Sequence, residues 1–133
     1  MKQIYQQIPE EKREKILQAA IAEFAEHGYE KASTNKNIQE ASISKGLLFH
    51  YFGNKKHLFL ATFDYFLDRY VGEMIERIPP LPDLPDDFFE RILCLSELKY
   101  RYFLQHPEVY FFLPTAYQRI VQKISRRGRK KAF

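Results

Sequence analysis

The residues that could carry catalysis are few and poorly placed for it. One cysteine, Cys94, and four histidines, His27, His50, His57 and His106, make up the soft and imidazole groups of a 133-residue chain. His50 and His57 stand seven residues apart across a glycine break, which is not a metal-ligand spacing. Cys94 lies in an apolar run and suits a core position better than a nucleophile's. No glycine-rich phosphate loop occurs. The chain is not expected to be an enzyme, and no metal or cofactor is expected.

Recognition chemistry is better represented. Ser44 can cap a short helix beginning at Lys45, and that helix reads Lys45-Gly46-Leu47-Leu48-Phe49-His50-Tyr51. Gly46 in its first turn costs about 1 kcal/mol of helix stability, and lets the helix start lie close to another backbone. Leu48 and Phe52 are four apart and can face inward, leaving Lys45, Leu47, Phe49 and His50 largely on other faces. Asn54 is a good cap for the next helix, and Lys55 and Lys56 follow it in the first turn. Cations there oppose the helix dipole by about 0.3–1 kcal/mol each. A phosphate would resolve that conflict, since free N–H groups and both ammonium groups would point at it.

The elements that must position these groups all read as helices. A first helix is expected from about Pro9 to His27, with Glu10 and Glu11 at its positive end and Gly28 closing it. Its apolar pairs Ile16/Leu17, Ala20/Ile21 and Phe24/Ala25 repeat at helical spacing. Ser33 and Thr34 can cap a short helix to about Ala41, and Ser42, Ile43 and Ser44 connect it to the Lys45 helix. Both short helices are too brief to be stable alone and need the first helix to pack on. A long helix is expected from Lys55 to Ile78, with its apolar stripe running from Leu58/Phe59 to Met74/Ile75. Pro79, Pro80, Pro82 and Pro85 then form a stiff linker. Another helix should open at Asp86 and Asp87 and end near His106-Pro107. A last one should run from Glu108 to about Ile124, interrupted at Pro114. Arg126 to Phe133 is expected to be a disordered basic tail. No stretch shows a two-residue alternation, so the fold class is all-α.

Charge is distributed unevenly along this sequence. Residues 1–60 carry a net +2, residues 61–118 a net −5 and residues 119–133 a net +7. The stretch from Lys31 to Lys56 holds five lysines and one acid, Glu40. Two basic segments thus flank an acidic middle, an arrangement that suits a polyanion through counterion release. No apolar run is long enough for a membrane span and no signal peptide is visible, while the lone cysteine fits a reducing compartment, so a cytoplasmic location is expected.

The stretch Gly28-Tyr29-Glu30-Lys31-Ala32-Ser33-Thr34, the run Ala41-Ser42-Ile43-Ser44 leading into Lys45-Gly46-Leu47-Leu48-Phe49-His50-Tyr51-Phe52, and Asn54-Lys55-Lys56-His57-Leu58-Phe59 together resemble the N-terminal domain of the tetracycline-repressor (TetR) family. The most specific part is S-K-G-L-L-F-H-Y-F followed by N-K-K-x-L, and the resemblance covers about residues 10–65. It implies a three-helix DNA-binding domain with a helix-turn-helix over residues 8–54. A long connecting helix and a partial helical C-terminal domain would follow over 55–125, then the basic tail over 126–133. It also implies a homodimer on a palindromic operator in double-stranded DNA, acting as a repressor released by a small hydrophobic effector. Carried over by position, Thr34, Tyr51 and Lys55 would contact phosphates, with Ser44 at the helix start. Asn35, Lys45, Gly46, Leu47 and Phe49 would lie nearest the base edges, and His50 would face either a phosphate or solvent. Asn37, where an apolar residue is usual, and Ser42, in place of the turn glycine, depart from the family pattern.

The resemblance weakens towards the C-terminus. Residues 86–118, with the run H-P-E-V-Y-F-F, resemble the first helices of a family ligand domain, but Gln118 to Phe133 does not resemble its continuation. The helices that usually form the dimer interface have no counterpart, which suits a shortened gene product or a short regulator with another dimer contact. Phe88, Phe89, Phe103, Tyr110, Phe111, Phe112 and Tyr117 are expected to divide between core and interface, with an aromatic effector pocket as the alternative. The competing function is a helical interaction protein that pairs with a full-length regulator without regulating DNA itself.

Overall fold

The structure, a computed structural model, describes residues 7–35 and 44–132. All regular elements among them are helical. Asn37, Ser42 and most of the helix expected to end at Ala41 lie outside the described residues.

Helix α1 spans Glu10–Lys31, opening on the acidic pair Glu10 and Glu11 that favours its N-terminal dipole. Ile16, Leu17, Ala20, Ile21 and Phe24 are buried on one face, as their spacing predicts. The expected stop at His27 is only a local one. Gly28 takes φ 74°, a left-handed value that favours glycine, and three more residues then continue as helix. The chain turns out at Ala32, and Thr34 and Asn35 are again helical.

Helix α2 spans Lys45–Phe52 and α3 spans Lys55–Phe66. Gly53 between them has φ 78°, and its N–H closes α2 on the Phe49 carbonyl at 2.8 Å. The long helix expected from Lys55 is not uniform. A π-helical turn, Leu67–Val71, separates α3 from α4, Gly72–Glu76. Leu58, Thr62, Phe66 and Tyr70, each four residues apart, are buried along this face, while Leu67 and Ile75 are exposed.

A short 3₁₀ turn, Leu81–Asp83, occupies the proline linker, and Leu84 after it is buried. Helix α5, Phe88–Gln105, starts on Asp87, whose carboxylate accepts the Glu90 N–H at 3.0 Å. Helix α6 runs unbroken through Pro107–Ala132. This corrects two expectations. Pro114 does not interrupt the helix, and the stretch from Arg126 to Ala132 is helical rather than disordered. A proline inside a helix costs about 3 kcal/mol. Here Val109, Phe112 and Ala116 are all buried around it, and Thr115 Oγ1 donates to the Phe24 carbonyl at 3.1 Å. Burial of that stripe offsets the cost of the proline.

The core is continuous. α1 packs chiefly against α6 and α3, and residues of all three join α2's Leu48 and Phe52 in one buried cluster. Phe112 lies at its centre, 5.0 Å from the Phe66 ring and 6.0 Å from that of Phe59. The aromatic set of the C-terminal half is only partly in the core. Phe112 is buried and Phe103 half-buried, whereas Phe88, Phe89, Tyr110, Phe111 and Tyr117 are exposed. Cys94 is half-buried on α5 rather than enclosed.

Candidate nucleic-acid interface

α2 is held at both ends and anchored from one side. Ser44 Oγ accepts the Leu47 N–H at 3.1 Å, the cap its position predicts. Leu48 and Phe52 are buried, fixing the rotation of the helix. The opposite face, Lys45, Gly46, Phe49 and His50, is exposed, and its four residues lie at one-turn spacing. The Lys45 ammonium sits 6.0 Å from the Phe49 ring centroid, and His50 packs edge-on to Tyr51 at 5.2 Å. Among the described residues, a Cβ built on Gly46 would meet nothing within 4 Å, so no packing against them calls for glycine there.

Leu47 and Tyr51 differ from the rest of the set. Both are half-buried and pack against the core, so they present an edge to the outside rather than a whole side chain. Thr34 is half-buried and Asn35 exposed at the start of the preceding helix.

That start is positioned by a residue the sequence reading passed over. Glu23, on α1, is buried, and its Oε1 accepts the Ser33 N–H at 3.0 Å. A charged residue at an apolar-face position of an amphipathic helix was the available signal, because such burial requires partners.

Asn54 caps α3, accepting the His57 N–H at 2.9 Å. Lys55 is engaged inside the chain. Its ammonium donates to the Glu30 carbonyl at 2.9 Å and lies 5.3 Å from the Tyr29 ring centroid. The conflict between this cation and the dipole of α3 is therefore relieved in part without a phosphate. Arg119 of α6 covers the same ring at 4.0 Å and pairs with the Glu30 carboxylate at 3.6 Å. Tyr29 thus joins the end of α1, the start of α3 and the middle of α6.

Between α3 and α6 lies a cleft of about 320 Å³. Phe59, Leu60, Phe63, Ala116 and Ile120 line it together with the cations Lys56, Arg119, Lys123 and Arg126. Among the described residues no cluster of three or more His, Cys, Asp or Glu could hold a metal ion, and no helix is long and apolar enough to cross a membrane.

Residues 16–62 match the family described as bacterial regulatory proteins, tetR family. An HTH-type transcriptional repressor of Streptomyces coelicolor is 32% identical over 101 residues, which cover 76% of this chain and 47% of that protein. The HTH-type transcriptional repressor AcnR of Corynebacterium glutamicum is 45% identical over 53 residues, covering 40% of this chain and 28% of AcnR. The chain thus spans less than half the length of these relatives. A crystal structure of a TetR family transcriptional regulator from Chloroflexus aurantiacus superposes with a TM-score of 0.68 at 24% identity, over 81% of this chain and 48% of that one, and shares its fold. With the capped α2 and the α3 start falling inside the matched segment, residues 16–62 form a domain of the tetR family of bacterial regulatory proteins.

Proposed function

We propose that the chain is a sequence-specific DNA-binding transcriptional regulator, a repressor that acts from the cytoplasm. The observation that carries this is the exposed face of α2, where Lys45, Gly46, Phe49 and His50 stand together on a helix anchored by Leu48 and Phe52. A helix held in this way suits the major groove, with lysine donating to guanine and the phenyl ring against a thymine methyl. Gly46 allows close approach. Residues 8–54 form the reading unit. Thr34, Ser44, Tyr51 and Lys55 flank the face and suit phosphates, and Lys55 keeps ammonium donors beyond the one used on Glu30. Asn35 and Leu47 join Lys45, Gly46 and Phe49 as the residues nearest the base edges.

The operator is double-stranded and palindromic, read by a homodimer. Support for association comes from α5, where Phe88, Phe89, Ile92 and Leu93 are exposed, Phe89 by 77%. The effector is a small apolar molecule. The cleft between α3 and α6 supports it, since any occupant would touch Phe59 and Arg119 and so the joint at Tyr29.

The test is a gel shift with DNA from upstream of the chain's own gene. The wild-type chain should retard it at low salt, and Lys45→Ala should weaken binding by about 1–3 kcal/mol. Failure of the folded protein to bind any such duplex at low salt would overturn the reading.

A further inference from the structure

The C-terminal half of α6 carries a cationic stripe of which Arg119 packs on Tyr29 and pairs with Glu30, while Lys123 and Arg126 line the cleft facing α3. No Asp or Glu follows Glu108 in the sequence, while seven Lys or Arg do. Arg119, Lys123, Arg126, Arg127 and Lys130 recur at spacings of three and four, so they line one side of the helix. The other side carries Tyr117, Val121 and Ile124. Every residue from Ile120 to Lys130 is exposed. Cations at a helix C-terminus do complement its dipole, but that effect fades within the last turn, and this stripe extends over three turns.

Its direction is set by contacts on the body of the protein. Thr115 meets Phe24, and Arg119 meets Tyr29 and Glu30. Later residues of α6 touch later residues of α1, so the two helices run the same way. α1 ends there and leads into Ser33–Asn35, and Lys55 is tied to Glu30 at the same end. α6 continues past this junction, and Lys130 lies about 16 Å beyond Arg119 along the helix axis. The stripe therefore starts where α1 ends beside the start of α3, and points to the side on which α2 leads into α3.

We propose that the C-terminal half of α6 is a second DNA-contacting element, with Lys123, Arg126, Arg127 and Lys130 on backbone phosphates flanking the site read by α2. The inference rests on the DNA-binding reading above. These contacts carry no sequence information. They raise affinity for any duplex and steepen its salt dependence, while α2 supplies discrimination.

The experiment measures affinity by fluorescence anisotropy, using the full chain with a labelled upstream duplex and a scrambled duplex across a salt series. In the triple variant Arg126→Gln, Arg127→Gln, Lys130→Gln the slope of log K against log salt should become shallower by about 2–3, near 0.9 per phosphate lost. The weakening should be alike on both duplexes. The charge-retaining variant Arg126→Lys, Arg127→Lys, Lys130→Arg should keep the wild-type slope. Since these side chains are exposed, the unfolding midpoint should not move. An unchanged slope in the glutamine variant, or tighter binding, overturns this inference alone. A folded wild-type chain that binds neither duplex overturns it together with the regulator reading.

Discussion

The buried carboxylate of Glu23 accepts the backbone N–H of Ser33 at 3.0 Å, tying α1 to the segment that leaves it at Ala32. His27 stands near the same carboxylate oxygen, with its Nε2 at 3.7 Å. The link fixes where the chain leaves α1, and so where Thr34 and Asn35 begin their helix. Replacing Glu23 by Ala should cost about 1–3 kcal/mol in urea unfolding, because the Ser33 amide loses its acceptor. Glu23→Gln, which keeps an acceptor oxygen, should lose less. DNA affinity should fall in the same order.

Gly46 separates stability from binding. With nothing among the described residues within 4 Å of a built Cβ, Gly46→Ala should raise the stability of α2 by up to about 1 kcal/mol, visible as a higher thermal midpoint. The same methyl should hold the helix start away from DNA and weaken binding. A variant both more stable and equally tight would show that the glycine serves no close approach.

Phe112 ties the C-terminal half to the N-terminal one. It is fully buried between Phe59 and Phe66, and Phe112→Ala should cost about 3–5 kcal/mol. Its neighbour Phe111 is 58% exposed, and Phe111→Ala should change monomer stability by less than about 0.5 kcal/mol. Chemical denaturation of the two variants side by side checks the contrast.

Alkaline pH should loosen the fold through its tyrosines. Burial first, and then the charge of Glu73, pushes the Tyr102 hydroxyl up to about 12 from an ordinary 10. Burial raises Tyr70 further and Tyr65 as well. A raised tyrosine favours the protonated form in the folded chain. Its contribution is full below pH 10 and is lost as pH rises from 10 towards 12. Stability followed by circular dichroism should decline over that interval, and Tyr102→Phe should shed part of the decline.

Much of the reading unit was legible because its signals are local. A cap such as Ser44 or Asn54 acts on an amide three residues away, and the spacing of Leu48 and Phe52 sets which face of α2 turns inward. The π turn at Leu67–Val71 left no such mark. Leu67, its first residue, is exposed, although it falls within the apolar stripe that the spacing predicts. Pro114 was misjudged as well. Its local cost is real, but Val109, Phe112 and Ala116 gain more from burial against α1 than the helix loses.

Helix content, caps and the composition of the exposed face of α2 follow from neighbours a few residues apart, and the sequence by itself determined them. Only the tertiary structure decided that Lys55 spends a donor on Glu30, that Tyr29 is covered by Arg119, and that α6 runs parallel to α1 with its basic stripe beyond the junction. Those relationships join residues separated by 25 positions in one case and 91 in another. No periodicity encodes such pairs, because they depend on which apolar faces meet when the core closes.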